Sequence, residues 1–552
     1  MTVAGATADE TRGGSRAAAG WLPIAVLAAA QFVMVLDSSV MNVSISQIVE
    51  DLGTTIQGVQ LAITAYTLVM ASLMLFGARL GDILGRDRCF ALGLAIYGLG
   101  SLTTSISPSL GVLLLGWSLV EGIGAALVMP AIVALVASTY EGPRRATAFG
   151  IIGGVAGAAI AAGPLIGGWC TTELSWRYVF AGETVVVIVI LLLRRRLTPS
   201  PATDPKPRLD IVGVLLSSAG LALAVFGILK SSTWGWVEPL AAPEIGGHEI
   251  TPLGFSVVPF LILGGGVLLY LFARWEEHRE AAGADTLVDL AMLAIRPLRA
   301  GLLTLGVQQL VLLGTFFVLP VYLQVVLGLD AFETGKRLFP MSVAMFVAAM
   351  LGPRLAGRLA PRLVAQLGLV ALVVAALVLV ETIDVELNGT RFALALALFG
   401  VGAGLLLSQL GNIIMSSVGA DQINVAGGLQ GTAQNLGASL GTALIGSVLI
   451  ASLTGGFTDR VTTNPDLSPA VQQQAADAAQ RGIPVAPVAD VEAAAREAGV
   501  SDAEAAAIAA DYGEAQLDGL RRALAAVALL AFLGLPFTRR LPARGPPAQK
   551  DP

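Results

Sequence analysis

The chain has 552 residues, 55% of them hydrophobic and only 13% charged, with a mean hydropathy of +0.77 and a formal net charge of -6. A soluble domain carries roughly 25% charged residues, so a water-soluble globular protein is excluded. The apolar residues fall in blocks of about 20 along nearly the whole length, which excludes a single anchor, and stretches such as 364–380 are continuously apolar, which excludes a membrane barrel of alternating strands. What remains is an all-α integral membrane protein.

In chain order, apolar blocks bounded by charges, Pro or Gly predict spans near 21–46, 57–78, 88–107, 109–138, 146–169, 178–194, 211–230, 253–273, 298–327, 335–358, 362–381, 391–416, 425–452 and 521–537, fourteen in all. With the N-terminus inside, the cytoplasmic segments collect most of the Lys and Arg residues, among them Arg79, Arg86, Arg88, Arg144, Arg145, Arg194, Arg195, Arg196, Arg354, Arg358, Arg362, Arg539 and Arg540. Outside loops such as Glu50-Asp51 and Glu381-Asp384-Glu386 are acidic, so the expected protein is multi-pass in the cytoplasmic (inner) membrane with both termini cytoplasmic. Residues 1–20, with Arg12 and Arg16, read as a cytoplasmic tail, as do 541–552. The first apolar run is longer than a signal-peptide core and contains Asp37, so it is expected to stay as an uncleaved span. Cys89 and Cys170 fall on opposite membrane sides and cannot pair. Trp234 and Trp236 read as interface anchors, and His248 and His278 fall in loops. Residues 456–520 form the one sizeable aqueous segment, placed outside, with 11 acidic and 3 basic side chains. Ser501-Asp502-Ala503-Glu504 fits a helix capping box there, and the segment is expected to be a spacer or a lid ahead of a docking surface.

The chain repeats itself. Gly77-Ala78-Arg79-Leu80-Gly81-Asp82-Ile83-Leu84-Gly85-Arg86 after the second span and Gly352-Pro353-Arg354-Leu355-Ala356-Gly357-Arg358-Leu359-Ala360-Pro361 after the tenth place Gly, Arg and Leu in register. If spans seven and eight are an insertion, each copy follows the second helix of a six-helix set. The expected organisation is an N-terminal bundle over 21–196, two additional helices over 211–273, and a C-terminal bundle over 298–540. A duplicated bundle of this kind binds its substrate between the halves near the bilayer midplane and opens by rocking.

Four stretches resemble the major facilitator superfamily, in particular its fourteen-helix drug:proton antiporter branch, which includes multidrug and antibiotic exporters. Leu36-Asp37-Ser38-Ser39-Val40-Met41-Asn42-Val43 is similar to the first-helix signature of that branch, and Gly77 to Arg88 to the loop motif of the whole superfamily. Gly153-Gly154, Gly157 and Gly163-Pro164-Leu165-Ile166-Gly167-Gly168 resemble the fifth-helix exporter motif, and Ser175-Trp176-Arg177-Tyr178-Val179-Phe180 the entry to helix six. The resemblance implies a conformational gate at Gly77, Asp82, Gly85, Arg86 and Arg88, with Arg79 in the same charged cluster. It implies an exporter role for Gly153, Gly157, Gly163, Pro164, Gly167 and Gly168. The chain departs from the pattern where helix four of the family carries Arg and then Gln, since Ser118 and Glu121 stand there, and where Asn commonly follows the Trp-Arg pair, since Glu183 stands there.

The carboxylates strictly inside the spans are Asp37, Glu121 and Glu183. In hydrocarbon such a group must be hydrated, paired or protonated, the behaviour a proton carrier needs. At 1.5 Å per residue, Asp37 lies about 22 Å along the first span and Glu121 about 18 Å along the fourth in the opposite sense, so the two could share one cavity, whereas Glu183 is expected near the outer interface. The competing reading is that each carboxylate only bonds a neighbouring hydroxyl such as Ser38 or Ser118. Amides at Gln308, Gln309, Gln409, Asn412, Gln430, Gln434 and Asn435 populate the second half, and Gln309, Gln409, Gln430, Gln434 and Asn435 are the expected substrate contacts. No phosphate-binding Gly-x-x-x-x-Gly-Lys motif, metal-ligand spacing or cofactor motif is visible. The expected partners are the lipid bilayer, a small-molecule substrate and protons, with no nucleic acid and an extracytoplasmic partner protein left open. The expected activity is proton-coupled export of drugs or other small amphipathic or cationic compounds, with dedicated export of one endogenous metabolite, antibiotic or lipid as the alternative. A membrane enzyme would need a catalytic His, a metal site or a nucleophile with its base, and none is legible.

Overall fold

The computed structural model describes residues 20–543 apart from 55, 195–207, 240–241, 246–247, 357, 420–421 and 481–484. Most of both expected tails, with Arg12 and Arg16, and Arg195, Arg196 and Gly357 lie outside the described residues, as do the side chains of Asn42 and Pro164.

Backbone amides have no water to bond in a bilayer, and helices satisfy them internally. The described residues accordingly fold into α1 (Leu22–Val43), α2 (Ile45–Leu52), α3 (Ile56–Leu84), α4 (Arg86–Ser105), α5 (Leu110–Leu113) continued by a π-helical stretch (Leu114–Glu121) and α6 (Gly122–Thr139), α7 (Gly142–Glu173) and α8 (Arg177–Leu193). The added pair is α9 (Ile211–Trp234) and α10 (Val258–Ala281), with a two-residue hairpin of β1 (Glu244–Ile245) and β2 (His248–Glu249) between them. Then follow α11 (Arg296–Pro320) with a π-helical end (Val321–Val326), α12 (Ala331–Ala356), α13 (Pro361–Thr382), α14 (Gly389–Ser416), α15 (Ile423–Thr463), α16 (Pro469–Gln480), α17 (Val488–Glu497) and α18 (Asp502–Thr538). Twelve of these elements are long and apolar enough to cross a membrane. Helices α4 and α8 fill the places of the third and sixth expected spans; α8, at 17 residues, is about 26 Å long.

Several local expectations are corrected. The first repeated motif is almost entirely helical, since α3 continues to Leu84, and the second is half helical, since α12 continues to Ala356 before a turn over 358–360, because charge ends a hydrophobic span without ending a helix. The break in the first copy is Gly85 alone, whose φ of +94° is open to glycine and strained for other residues. His278 lies in the last turn of α10 and His248 on β2, not in loops. Trp236 donates its indole N–H to Ser447 Oγ at 2.8 Å and Trp234 packs edge-on against Phe226, contacts compatible with their reading as interface anchors. The 456–520 segment is largely helical, in line with its capping box. α15 and α18 run 41 and 37 residues, and where they project they enclose, with α16 and α17, a separate apolar cluster of Leu453, Phe457, Val461, Leu467, Ala479, Ile508, Tyr512 and Ala515. Ser501 caps α18 as its spacing with Glu504 predicts.

The two halves repeat in their packing as well as in their sequence. A Cβ on Gly77 would strike the α6 backbone at Ala126, and one on Gly352 would strike Ser408 of α14, so the two motif copies make equivalent close approaches. Near its start α7 crosses to the other half, with Gly150 against Ala349 and Gly154 against Phe346 of α12 and Gly153 against Leu407 of α14; near its end it returns to its own half, with Gly163 and Gly167 against Ser39 and Val40 of α1. Helix α15 does the mirror-image thing. Gly427 meets Pro130 of α6 and Gly428 meets Ala78 of α3, after which Gly437 and Gly441 pack on Gly306 and Leu310 of α11. The halves are therefore zipped together at the end that carries the motifs. The α9–α10 pair attaches through α9, which touches α3 of one half and α15 of the other.

Candidate functional site

Three helices of the first half bring the intramembrane acids together. Asp37 of α1, Glu121 at the end of the π-helical stretch and Glu183 of α8 are 0%, 0% and 3% exposed, and one carboxylate oxygen from each lies within 4.8 Å of the others. The wider turn of the π-helix occurs at functional sites more often than chance, and here it ends on Glu121. Close approach of α4 makes the arrangement possible: a Cβ on Gly100 would lie 2.5 Å from the Glu121 nitrogen. Glu183 is thus brought into one cluster with Asp37 and Glu121 by the packing of α8 against α1 and α4.

Neutral donors orient two of the acids. Trp117 Nε1 donates to Asp37 Oδ1 at 2.8 Å, with the Tyr66 ring stacked 4.7 Å from that indole. Tyr97 and Ser101 donate to Glu183 Oε2 at 3.3 and 3.2 Å. Glu183 Oε1 has no hydrogen-bond partner among the described residues, whereas the Tyr66 hydroxyl is in reach of Asp37 and the Tyr97 hydroxyl in reach of Glu121. Ser118 donates to the Ala62 carbonyl at 2.8 Å and not to Glu121, whose neighbouring hydroxyl is that of Tyr97. Among the described residues no Lys or Arg pairs with any of the three.

At the motif end Asp82 of α3 accepts a hydrogen bond from Asn424 of α15 and sits 3.9 Å from Arg79, with Arg86 in electrostatic reach. Arg88 is not part of this contact: it faces an open groove of about 510 Å³ between α4 and α8, shared with Arg194. A second bridge between halves runs from Arg145 of α7 to Asn412 Oδ1 at 3.1 Å and to Ser416 Oγ at 2.6 Å. Asn424 and Arg145 as bridging residues were missed by sequence reasoning, since each looks like an ordinary helix-end residue until the opposite half is in place. Of the exporter-motif residues, Gly153 and Gly157 face the second half, Gly163 and Gly167 face α1, Gly168 is buried, and Pro164 lies within an α7 that stays helical through it.

Between the halves lies a cavity of about 60 Å³, walled by Met129, Phe149, Leu305 and Leu407 among others, with three amides, Gln31, Gln430 and Gln434. Two of the five expected substrate contacts are therefore present and three are elsewhere. Gln409 donates to Ser408 Oγ, Asn435 donates to the Gly431 carbonyl, and Gln309 is outside the lining. Gln31, one of two amides in the first apolar run, is the contact the sequence signalled but was not read for.

Two homologous six-helix sets zipped at one end, a polar-lined cavity between them and a buried acid cluster in one set define a secondary-transporter scaffold. The chain belongs to the Major Facilitator Superfamily, whose family profile matches residues 27–442. It is 31% identical over 449 residues to the puromycin resistance protein pur8 of Streptomyces alboniger, covering 80% of this chain and 84% of that one. It is 27% identical over 436 residues to the tetracenomycin C resistance and export protein of Streptomyces glaucescens, covering 79% and 77%. The fold is also that of the human organic anion transporter MFSD10, with a TM-score of 0.55 at 14% identity over 94% of this chain and 97% of that one.

Proposed function

We propose that the protein exports small amphipathic or cationic compounds, antibiotics among them, in exchange for protons. The observation that carries this reading is the convergence of Asp37, Glu121 and Glu183 in a buried interior, with no Lys or Arg paired to any of them among the described residues. Three adjacent carboxylates cannot all hold charge in low dielectric, so protons must neutralise them, and their loss or gain changes the energy of whichever conformation buries them. Trp117, Tyr97 and Ser101 hold two of the acids in place as their protonation changes. The motif end, with its Lys and Arg excess, is the cytoplasmic end under this proposal, and both termini are cytoplasmic. The bundles over 21–196 and 298–540 then rock about the α9–α10 pair. The conformation seen is closed to the cytoplasm by Asp82–Asn424, Arg145–Asn412 and the interdigitated glycines of α7 and α15. A drug-sized molecule needs roughly 300 Å³ or more, so the 60 Å³ cavity is the collapsed state of a site that opens as these contacts part.

Acid-driven uptake of a lipophilic cation into inside-out vesicles tests the reading: wild type transports, and Asp37→Asn inserts normally but loses the dependence on the pH gradient. Full proton-driven transport in that variant would refute it. A second reading, dedicated export of one antibiotic, is favoured by the single-compound names of the relatives above. Under that reading the same vesicles move one antibiotic and no generic cation.

A further inference from the structure

Arg88 belongs to the first motif copy by sequence, yet it takes no part in the contacts of the motif end. Arg194, which directly follows α8, is equally unengaged: the side chains of both are exposed, and neither has an ion pair or a hydrogen bond among the described residues. The two line one open groove of about 510 Å³ between α4 and α8. These helices run antiparallel, with Ser101 bonded to Phe180 and Glu183, and Arg88 brought level with Arg194. Their tightest approach is at Gly98, where a Cβ would lie 2.9 Å from Val187 Cγ1. At 1.5 Å per residue, Arg88 lies about 15 Å back along α4 from that contact and Arg194 about 10 Å onward from Val187. The groove is the wedge left where the two helices part toward the motif end.

Its lining is charged at one end and apolar beyond. Arg88, Ala91, Leu92 and Ala95 follow the three- and four-residue spacing of one helix face, and the two alanines leave room where larger side chains would fill the wedge. Leu92 and Leu192 along it are 42% and 67% exposed, which in a membrane-spanning chain is exposure to lipid. No carboxylate lines the groove, so the charge of the two guanidinium groups is uncompensated there. Two such groups above an apolar trough are complementary to a molecule with an anionic head and a hydrocarbon tail. The planar guanidinium fork matches phosphate oxygens in pairs, and basic pockets between membrane helices are suited to anionic headgroups. The same pair repels a lipophilic cation, so the groove is a poor entrance for the compounds proposed above as substrates.

We propose that the α4–α8 groove binds one anionic phospholipid, its phosphate held by Arg88 and Arg194 and an acyl chain laid along Ala91 and Ala95. The lipid fills the wedge and holds α4 and α8 at the spacing that, within two turns of Ala95, lets Tyr97 and Ser101 donate to Glu183. This site goes beyond the exchange reading and does not depend on it; the orientation of the chain decides only which leaflet supplies the lipid.

The test is native mass spectrometry of the purified full chain equilibrated with equal amounts of phosphatidylglycerol and phosphatidylcholine carrying identical acyl chains. Each arginine is expected to contribute about a fivefold preference for the anionic lipid. The first lipid retained by wild type is then phosphatidylglycerol by about 25-fold, by about fivefold in Arg88→Gln, and without preference in Arg88→Gln/Arg194→Gln. Ala95→Trp fills the trough without altering charge and lowers the retained phosphatidylglycerol at least fivefold. Arg539→Gln/Arg540→Gln removes an exposed pair after α18, outside the groove, and keeps the wild-type preference. Folding is checked by the thermal midpoint in phosphatidylcholine alone, which stays near wild type in every variant; added phosphatidylglycerol raises it in wild type and not in Arg88→Gln/Arg194→Gln. Equal retention of the two lipids by wild type overturns the proposal, as does a preference that survives in Arg88→Gln/Arg194→Gln. A preference lost equally in Arg539→Gln/Arg540→Gln reduces it to the general charge of that membrane face and overturns the site. Unchanged retention in Ala95→Trp overturns the seating of the chain in the groove, and an equal rise in midpoint with inorganic phosphate overturns the lipid in favour of a free anion.

Discussion

Substituting glycines at the two ends of α7 should separate conformational bias from stability. Gly150 faces the second half: a Cβ there would lie 2.7 Å from the Ala349 carbonyl oxygen and 3.1 Å from Pro353 Cγ. An ordinary contact is about 3.4 Å or more, so Gly150→Ala must push α7 and α12 apart by several tenths of an ångström at the motif end. Overpacking of this degree costs about 1–3 kcal/mol. Under the proposed rocking that contact exists only while the halves are closed, so the cost falls on one conformation and shifts the equilibrium about 5- to 150-fold toward opening at the motif end. Gly163 instead packs on Ser39 within one half, where a Cβ cannot fit in either conformation. Gly163→Ala should lower the thermal midpoint and leave the conformational ratio unchanged. The assay pairs thermal unfolding with labelling of single cysteines introduced near the motif end. Equal accessibility in wild type and Gly150→Ala, with a lowered midpoint in the latter, would refute the division of α7 into a moving and a fixed contact.

Two further outcomes follow from groups outside the acid cluster. Burial alone would raise the Asp51 carboxyl, but hydrogen bonds from Gln47, Trp176 and Arg177 and the charge of Arg177 hold it below its ordinary 3.8. A depressed value means the contribution is complete above 3.8 and is lost as pH falls through the folded value. Wild type should therefore lose its advantage over Asp51→Asn only in that acid window, and a constant difference in thermal midpoint down to pH 2 would contradict the pairing. Glu276 accepts from the backbone N–H groups of Leu287 and Val288 at 2.7 and 3.1 Å, tying α10 to the segment before α11. Glu276→Gln weakens these bonds by about 0.5–1.5 kcal/mol, and hydrogen exchange at Leu287 and Val288 should quicken about 2- to 13-fold.

Composition and periodicity alone determined that the chain crosses a membrane many times as helices, and they placed the spans to within a few residues at most ends. This follows because hydrocarbon demands long apolar stretches, a one-dimensional property. The duplication was legible for the same reason, in the Gly77 and Gly352 motifs. Span length could not tell where a helix stops once it leaves the bilayer, so the continuation of α3 to Leu84 and the projecting ends of α15 and α18 appear only in the fold. Asp37, Glu121 and Glu183 each stood out as charge in an apolar run, but they are 62 to 146 residues apart in sequence. Their convergence is set by how α8 leans on α1 and α4 and by the π-helical turn at Glu121. The Asn424 and Arg145 bridges, and the sorting of amides into Gln31, Gln430 and Gln434 at the cavity with Gln309, Gln409 and Asn435 elsewhere, were decided by tertiary structure for a related reason. An amide in a membrane helix has many possible partners, and only the rotation of each helix about its axis determines which one it meets.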